Sequence, residues 1–487
     1  MNITITGRDS DTVAVDNAEI ILHLVMDGED TLSKLDFELK PAMTSIGKIT
    51  FLYGVRGEQH RALVGLGTLA KLDVEQLRRA AGCAARAISR EGYRSAAVHL
   101  NLSTNVERVT PESLVEAWVE GWLLGGYTFD KYKQHPREQV IDKLLLISES
   151  NDPQSFNPLI ARSVSRAEST MLARDWCNEP ANVMTPSHLV EQVQQLFAER
   201  NVETRVFQGE ELVHFGMNGL LAVGQGSRHQ PALVELTYVT DPSLPLLALV
   251  GKGMTFDMGG MNMKTGRDLS EARFDMGGAC AVIGALDYLV CNEARANVVA
   301  LIAIADNVPG SGALLPSSTV RYANGLTVQV SNTDAEGRLI LADALLHAER
   351  LGADEIIDIA TLTGSVGHAL GLRVAGVWGD RSCTEKLHSL GELNGDRVWP
   401  MPLIDDDEDL LRSDYADLSN ISSSAYGGAN AAALFLRRFV DDSIRWTHID
   451  MANTVQSPAD RGYEAAGATG FGVRLLADYV IHYSTNR

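Results

Sequence analysis

The chain has little cysteine, no long apolar run and no surplus of positive charge, and each shortage removes a class of function. Its five cysteines (Cys83, Cys177, Cys280, Cys291 and Cys383) include no C-x-x-C pair and are odd in number, which argues against a disulfide framework and for a reducing compartment. No stretch approaches the roughly eighteen apolar residues of a spanning helix. The opening MNITITGRDSD lacks the basic and apolar regions of a secretory signal, so a cytoplasmic location is expected. A formal charge of -21 at pH 7, from 63 acidic against 42 basic residues, repels phosphate backbones and anionic membranes, and nucleic acid and membrane are not expected partners. There is no H-E-x-x-H, and none of the twelve histidines falls in a motif; His368 and His448 are expected to be structural. Neither Ser311 nor Ser365 sits in a G-x-S-x-G elbow, which sets serine catalysis aside.

What is present is a globular composition, 45% hydrophobic over 487 residues, too long for one ordinary core and divided most simply into two domains. The first part alternates short strand-like runs (3–5, 20–25, 48–53, 62–64, 95–100, 144–147) with helices at 74–89 and 111–124, an α/β domain over residues 1–150. The polar run ESNDPQSFNP (149–158) suits a linker, and residues 151–170 are assigned as linker and connecting helix. Residues 171–487 form the second domain, again with strands and helices in alternation. Within the first domain, Gly65-Leu66-Gly67-Thr68-Leu69-Ala70 follows a strand and precedes a helix as a dinucleotide fingerprint would. The strand that follows ends His99-Leu100-Asn101, without the required acid, so a tight turn is the plainer reading.

The chemistry lies in the second domain. NTDAEGRL (332–339) places Asp334, Glu336 and Arg338 on alternate residues between an apolar strand (326–330) and a helix (339–351). Strands at 246–250, 297–305 and 355–360 likewise run into polar groups: a glycine-rich loop from Gly251 with Lys252 and Asp257, then Asp306, then Thr361-Leu362-Thr363-Gly364. Polar ends on several strands predict one convergent sheet edge, where open α/β sheets bind ligands. A phosphate loop is excluded, because Leu246 and Gly253 stand where G-x-x-x-x-G-K-[ST] needs Gly and Ser or Thr. Unpaired, the carboxylates of Asp257, Asp275, Asp334 and Glu336 would be too costly to bury; two divalent cations about 3.5–4 Å apart would neutralise them and activate water. Lys252 could ligate a metal only as a neutral amine, its pKa brought below ~10.4 by adjacent divalent charge. Lys264, remaining charged, suits stabilisation of an oxyanion.

Taken together these segments resemble the leucyl aminopeptidase (cytosol aminopeptidase) family of dinuclear-metal exopeptidases. The resemblance runs over about 171–476, through ARDWCNEPANVMTP, VGKGMTFDMGG, the Lys264 loop, FDMGGA, NTDAEGRLILADAL, ATLTG, HIDMA and GFGVRLL; in the first domain GWLLGGYTFDKYK (121–133) is the best match. It implies an α/β fold in which a smaller N-terminal domain, for assembly or regulation, precedes a larger catalytic one with a mixed, mostly parallel central sheet flanked by helices. It further implies one metal held by Lys252, Asp257, Asp275 and Glu336, and a second by Asp257, Asp334 and Glu336. A bridging hydroxide would attack the scissile carbonyl, with Lys264 on the oxyanion and Arg338 holding a bicarbonate that shuttles the proton. Thr361, Leu362, Gly364 and Ala272 match substrate-site positions. Zn or Mn, with Mg or Co as further options, short peptides with a free N-terminus, and a homohexamer of two trimers complete the expectation. Ala272 stands where the family commonly has methionine, which widens the pocket for the N-terminal side chain. The loop TGRDLSE (265–271) is unusually charged, and Ser317-Ser318 replaces a frequent Gly-Asp pair. Two other readings are a non-catalytic, DNA-binding member of the family and a narrower dipeptidase such as one for cysteinylglycine.

Overall fold

A computed structural model of the chain describes residues 1–7, 17–27, 39–55, 58–100, 108–136, 141–266 and 268–485. The chain forms two compact units: Met1–Met171 together with Ser457–Ala466, and Leu172–Gln456 together with Gly467–Arg487.

In the first unit β1 (Asn2–Gly7), β2 (Ile20–Asp27), β3 (Ile49–Leu52), β4 (His60–Thr68), β5 (Ser95–Leu100) and β6 (Lys143–Ser148) form one sheet in the order β1-β6-β5-β2-β4-β3. All neighbours are parallel except β3 with β4. The helix Val74–Arg90, N-capped by Asp73, lies between β4 and β5 in sequence, and Pro111–Gly126, opened by a Thr110–Ser113 capping box, lies between β5 and β6. Such helical crossovers are what parallel neighbours require. Their buried faces carry an ionic cluster in which Arg78 bonds Glu75 at 2.7 Å and Glu120 at 2.9 Å. The Ser457–Ala466 segment adds to this unit through Tyr463, whose hydroxyl lies 3.2 Å from Glu75, and through Arg86, which donates to the Gly462 and Glu464 carbonyls. The Gly65–Ala70 run is neither a phosphate loop nor a tight turn. It continues β4 to Thr68, with Gly67 (φ 84°) in a bulge opposite β2 and a Cβ on Gly65 only 2.2 Å from the Ser45 carbonyl. Close backbone approach at Gly65 and a left-handed backbone at Gly67, not a ligand, account for these glycines.

The second unit is built on an eight-stranded sheet. Its strands are β7 (Glu203–Gln208), β8 (Ala232–Val239), β9 (Leu247–Asp257), β10 (Asn297–Asn307), β13 (Glu355–Ala360), β14 (Ala375–Gly379), β15 (Val398–Pro400) and β17 (Arg445–Asp450), in the order β15-β14-β17-β13-β9-β10-β8-β7. The four parallel pairs include the three at the centre, β17-β13, β13-β9 and β9-β10. Separate apolar cores cover the two faces. One gathers the helices Pro186–Phe197, Gly277–Cys291 and Val473–Thr485, and the other Asn218–Gly224, Gly337–Arg350 and Gly428–Arg437. The continuous helical run Ser270–Cys291, whose most apolar 18 residues have a mean hydropathy of 1.5, is apolar and long enough to span a membrane, contrary to the sequence expectation. As 83% of its most apolar window is buried inside the protein, it is read as a core helix.

Two local features differ from the sequence expectation. The segment after Val250 is strand rather than glycine-rich loop, since β9 runs unbroken to Asp257. In addition, the strand before NTDAEGRL does not join the main sheet. β12 (Thr327–Gln329) lies in a small sheet with β11 (Thr319–Arg321) and β16 (Leu418–Ser419). Asp334 and Glu336 therefore reach the site from a different sheet, not from the same sheet edge.

Candidate metal centre

Strand alternation would send Lys252 and Asp257, five residues apart, to opposite faces of the sheet. A bulge prevents this: Ala305 of β10 faces Met254, while the next residue, Asp306, faces Phe256, so Thr255 is the extra residue. The inserted residue reverses the alternation and lets both side chains enter one site. Lys252 and Asp257 are both buried, at 2% and 3% exposed. Asp275 arrives from a short 3-10 turn (Ser270–Met276) just ahead of the helix Gly277–Cys291, and half-buried Ala272 lies in the same turn.

Glu336 caps the helix Gly337–Arg350, and that helix packs on β9, β10 and β13. The preceding turn is held by Asn420. Its Oδ1 accepts from Ser331 N (2.8 Å) and Asn332 N (3.2 Å), and its Nδ2 donates to the Asn332 carbonyl (2.6 Å). Gly337 is needed at the helix start because a Cβ there would lie 2.7 Å from Lys252 Nζ.

The result is a buried cluster of four carboxylates and two ammonium groups. Lys252 Nζ is 2.8 Å from Asp275 Oδ2, 2.9 Å from Glu336 Oε1 and 3.0 Å from the Thr361 carbonyl. Lys264 Nζ lies 2.5 Å from Asp257 Oδ2 and also contacts Asp334. Burial alone would lower the pKa of either lysine, but the surrounding carboxylates outweigh it and both are raised. Burial pushes Asp257 up to about 6, reinforced by Glu336, and Asp275 up to about 7 against the opposing pull of Lys252. Burial also works against ionisation of Glu336, yet Lys252 and Lys264 bring its pKa below the usual range.

This donor set fits divalent cations. One oxygen each from Asp257, Asp334 and Glu336 lie within 4.8 Å of one another, and the residual negative charge is of the kind that hard cations neutralise.

Arg338 stands apart from the carboxylates. Its Nη1 donates to the Asn420 carbonyl at 2.8 Å, its guanidinium faces Phe435, and its buried Nε has no hydrogen-bond partner among the described residues. Burial lowers its pKa to about 10, with Glu336 and Asp450 opposing. Thr361 joins the cluster directly, its hydroxyl donating to Asp275 Oδ1 at 2.7 Å, and Leu362 and Gly364 follow in the same loop. The histidines stay outside: His448 is bound to Asp358 in the core, and His368 is exposed.

Sequence reasoning missed Asn307. It singled out the neighbouring Asp306, but that carboxylate is taken by Thr255 and Ser227. Asn307 Nδ2 instead donates to Asp257 Oδ1 (2.8 Å), the Thr333 carbonyl (3.0 Å) and Glu336 Oε2 (3.3 Å), tying together two of the acidic groups. A polar residue one place beyond an apolar strand was the available signal. The regular alternation of β10, from Ala303 opposite Lys252, puts Asn307 rather than Asp306 on the site face, and the β9 bulge brings Asp257 to the same face.

Comparison with known proteins agrees with this geometry. Residues 171–477 match the catalytic domain of the cytosol aminopeptidase family and residues 37–136 its N-terminal domain. The chain is 38% identical to a probable cytosol aminopeptidase of Geotalea uraniireducens, over 91% of this chain and 90% of that one. It is 36% identical to one from Geobacter sulfurreducens, over 93% of each. Among solved structures it is similar to the bottromycin maturation enzyme BotP in complex with Mn, with a TM-score of 0.86 and 31% identity over 96% of this chain and 100% of that chain. The chain belongs to the cytosol aminopeptidase family and is a metal-dependent aminopeptidase, a hydrolase of peptide bonds.

Proposed function

We propose that the protein removes N-terminal residues from short peptides at a two-metal site held by Lys252, Asp257, Asp275, Asp334 and Glu336. The observation that carries this reading is the convergence of these five side chains, from three separate stretches of sequence, on one buried cluster. Two divalent cations bound there would supply Lewis acidity, water ionised near neutral pH and an anchor for a free amino terminus. Lys252 contributes as a neutral amine once cations replace its proton among the carboxylates. Lys264 keeps its charge, as its raised pKa favours, and its ammonium stabilises negative charge developing on the scissile carbonyl oxygen. Arg338 offers a buried cation whose Nε has no partner among the described residues. A small anion such as bicarbonate would satisfy it, and Arg338 would hold that anion where it could supply proton-transfer capacity. Thr361, Leu362 and Gly364 line the substrate, with Ala272 leaving room for its N-terminal side chain.

Mn is the first metal to test, because the similar BotP structure carries it, with Zn, Mg and Co as the alternatives. Five cysteines, none in a disulfide among the described residues, and the acidic net charge suit a cytoplasmic enzyme without nucleic acid as its main partner, and the family resemblance supports a homohexamer of two trimers. The test is a panel of amino-acid amides and dipeptides, cysteinylglycine included, with metal-free protein reconstituted with each metal. Metal-dependent release of N-terminal residues is expected. Turnover with no metal at all, or undiminished turnover after loss of both Lys264 and Arg338, would refute the mechanism.

A further inference from the structure

The HIDMA segment contains a carboxylate that the proposed mechanism does not use. Asp450, the last residue of β17, is fully buried and forms no ion pair among the described residues. Four hydrogen bonds hold it. Oδ1 accepts from Leu362 N (3.1 Å), Thr363 N (3.3 Å) and Ala452 N (3.2 Å), and Oδ2 accepts from the Thr363 hydroxyl (2.6 Å). The Thr363 hydroxyl in turn accepts from Val366 N at 3.3 Å, capping the helix Gly364–Leu370. Three of the four bonds to Asp450 therefore go to the loop that leaves β13.

The start of that loop is fixed by different partners. The Thr361 carbonyl receives Lys252 and its hydroxyl binds Asp275, while the backbone N–H groups of Leu362 and Thr363 both donate to Asp450. A buried carboxylate without a direct ion pair, with Arg338 acting on it only at longer range, is costly, and a neutral acceptor would be cheaper if the loop only had to be covered. A carboxylate can accept from both backbone N–H groups and the hydroxyl at once, and charged acceptors hold donors more tightly than neutral ones.

We propose that Asp450 is a positioning residue, which fixes the Leu362–Gly364 backbone in the orientation that receives the substrate. This rests on the substrate-site assignment above. A group that holds a substrate-binding loop without touching the reacting atoms contributes binding common to ground and transition states, so its loss raises KM more than it lowers kcat.

The experiment uses the Mn-reconstituted enzyme and an amino-acid 4-nitroanilide, with Thr363→Val, Thr363→Ser and Asp450→Asn compared with the parent. Thr363→Val is expected to raise KM about tenfold and Asp450→Asn further, with kcat changed by less than about threefold. Thr363→Ser restores the parent KM because it keeps the hydroxyl. Mn affinity by calorimetry and the melting temperature of Thr363→Val stay at parent values. An unchanged KM in Thr363→Val, a Thr363→Ser variant as impaired as Thr363→Val, or a defect that tracks weakened Mn binding overturns the assignment. A parent enzyme inactive with every metal refutes the aminopeptidase reading itself. An active parent with unaffected variants refutes only the role of Asp450.

Discussion

Replacing Asn307 by alanine tests whether the carboxylates are held in place for a metal or merely collected by folding. The amide of Asn307 donates to Asp257 and Glu336 and to one neutral carbonyl. Each hydrogen bond to a charged group is worth roughly 1.5–3 kcal/mol, and that to a neutral one about 1. The two carboxylates partly recover their loss through the lysines already beside them, Lys264 on Asp257 and Lys252 on Glu336, so the net effect on ligand placement is about 1.5–3 kcal/mol. At about 1.4 kcal/mol per factor of ten, this is a roughly 10- to 100-fold loss of metal affinity, the range found when groups that orient metal ligands are removed. Calorimetric titration of metal-free Asn307→Ala with Mn, set beside its near-ultraviolet circular dichroism, measures the effect. Asn307→Asp is a second variant, since it replaces the donor with another carboxylate and disturbs the site electrostatically instead. If Asn307→Ala folds and binds Mn within threefold of the parent, the amide does not orient the ligands and the reasoning fails.

Three further outcomes are expected. Arg338→Met removes the buried cation, so kcat falls about 10- to 1000-fold and stimulation by added bicarbonate disappears; a retained bicarbonate response would remove the anion role from Arg338. Metal binding releases protons, because cations require the ionised carboxylates. With Asp257 raised to about 6 and Asp275 to about 7, both hold protons in acid and give them up on metal binding. Release, measured by calorimetry in buffers of different ionisation enthalpy, therefore falls as pH rises from 5.5 to 8. About one proton remains at pH 8, from Lys252 becoming a neutral ligand, and Lys252→Met abolishes it; a release independent of pH contradicts the raised carboxylate pKa values. Ser317 adopts a left-handed backbone (φ 73°), a conformation that favours glycine. Ser317→Gly relieves a strain of about 1–2 kcal/mol against an entropic cost of about 0.5–1 kcal/mol, so urea unfolding should show a gain of up to about 1.5 kcal/mol, and a loss would argue against strain there.

Much of the fold was legible because its signals are local. The six strands of the first unit and its two long helices follow from short apolar runs between turns, together with a Thr-Pro helix start at 110–111. The site segments NTDAEGRL and GKGMTFD stood out because acids and lysines are rare beside such apolar strands. What could not be read was how these segments meet. The bulge at Thr255 leaves no compositional mark, yet it turns Asp257 toward Lys252 and brings it opposite Asn307. Membership of β12 in its own small sheet depends on a strand some ninety residues away, paired through Val328 with Leu418. Addition of Ser457–Ala466 to the first unit likewise depends on contacts such as Tyr463 with Glu75, far apart in the chain.

By itself, then, the sequence determined the alternation of strands and helices, the groups able to bind metal, and the absence of histidine, thiol-pair and serine chemistry from the motifs. These follow from residue type and short-range periodicity, which need no long-range contact. Only the tertiary structure decided which side chains share the site, that Lys252 and Lys264 are both held charged among the carboxylates, and that Asp450 braces the loop beside them. Facing, burial and charge balance depend on residues tens to hundreds of positions apart, and only the packed chain brings those together.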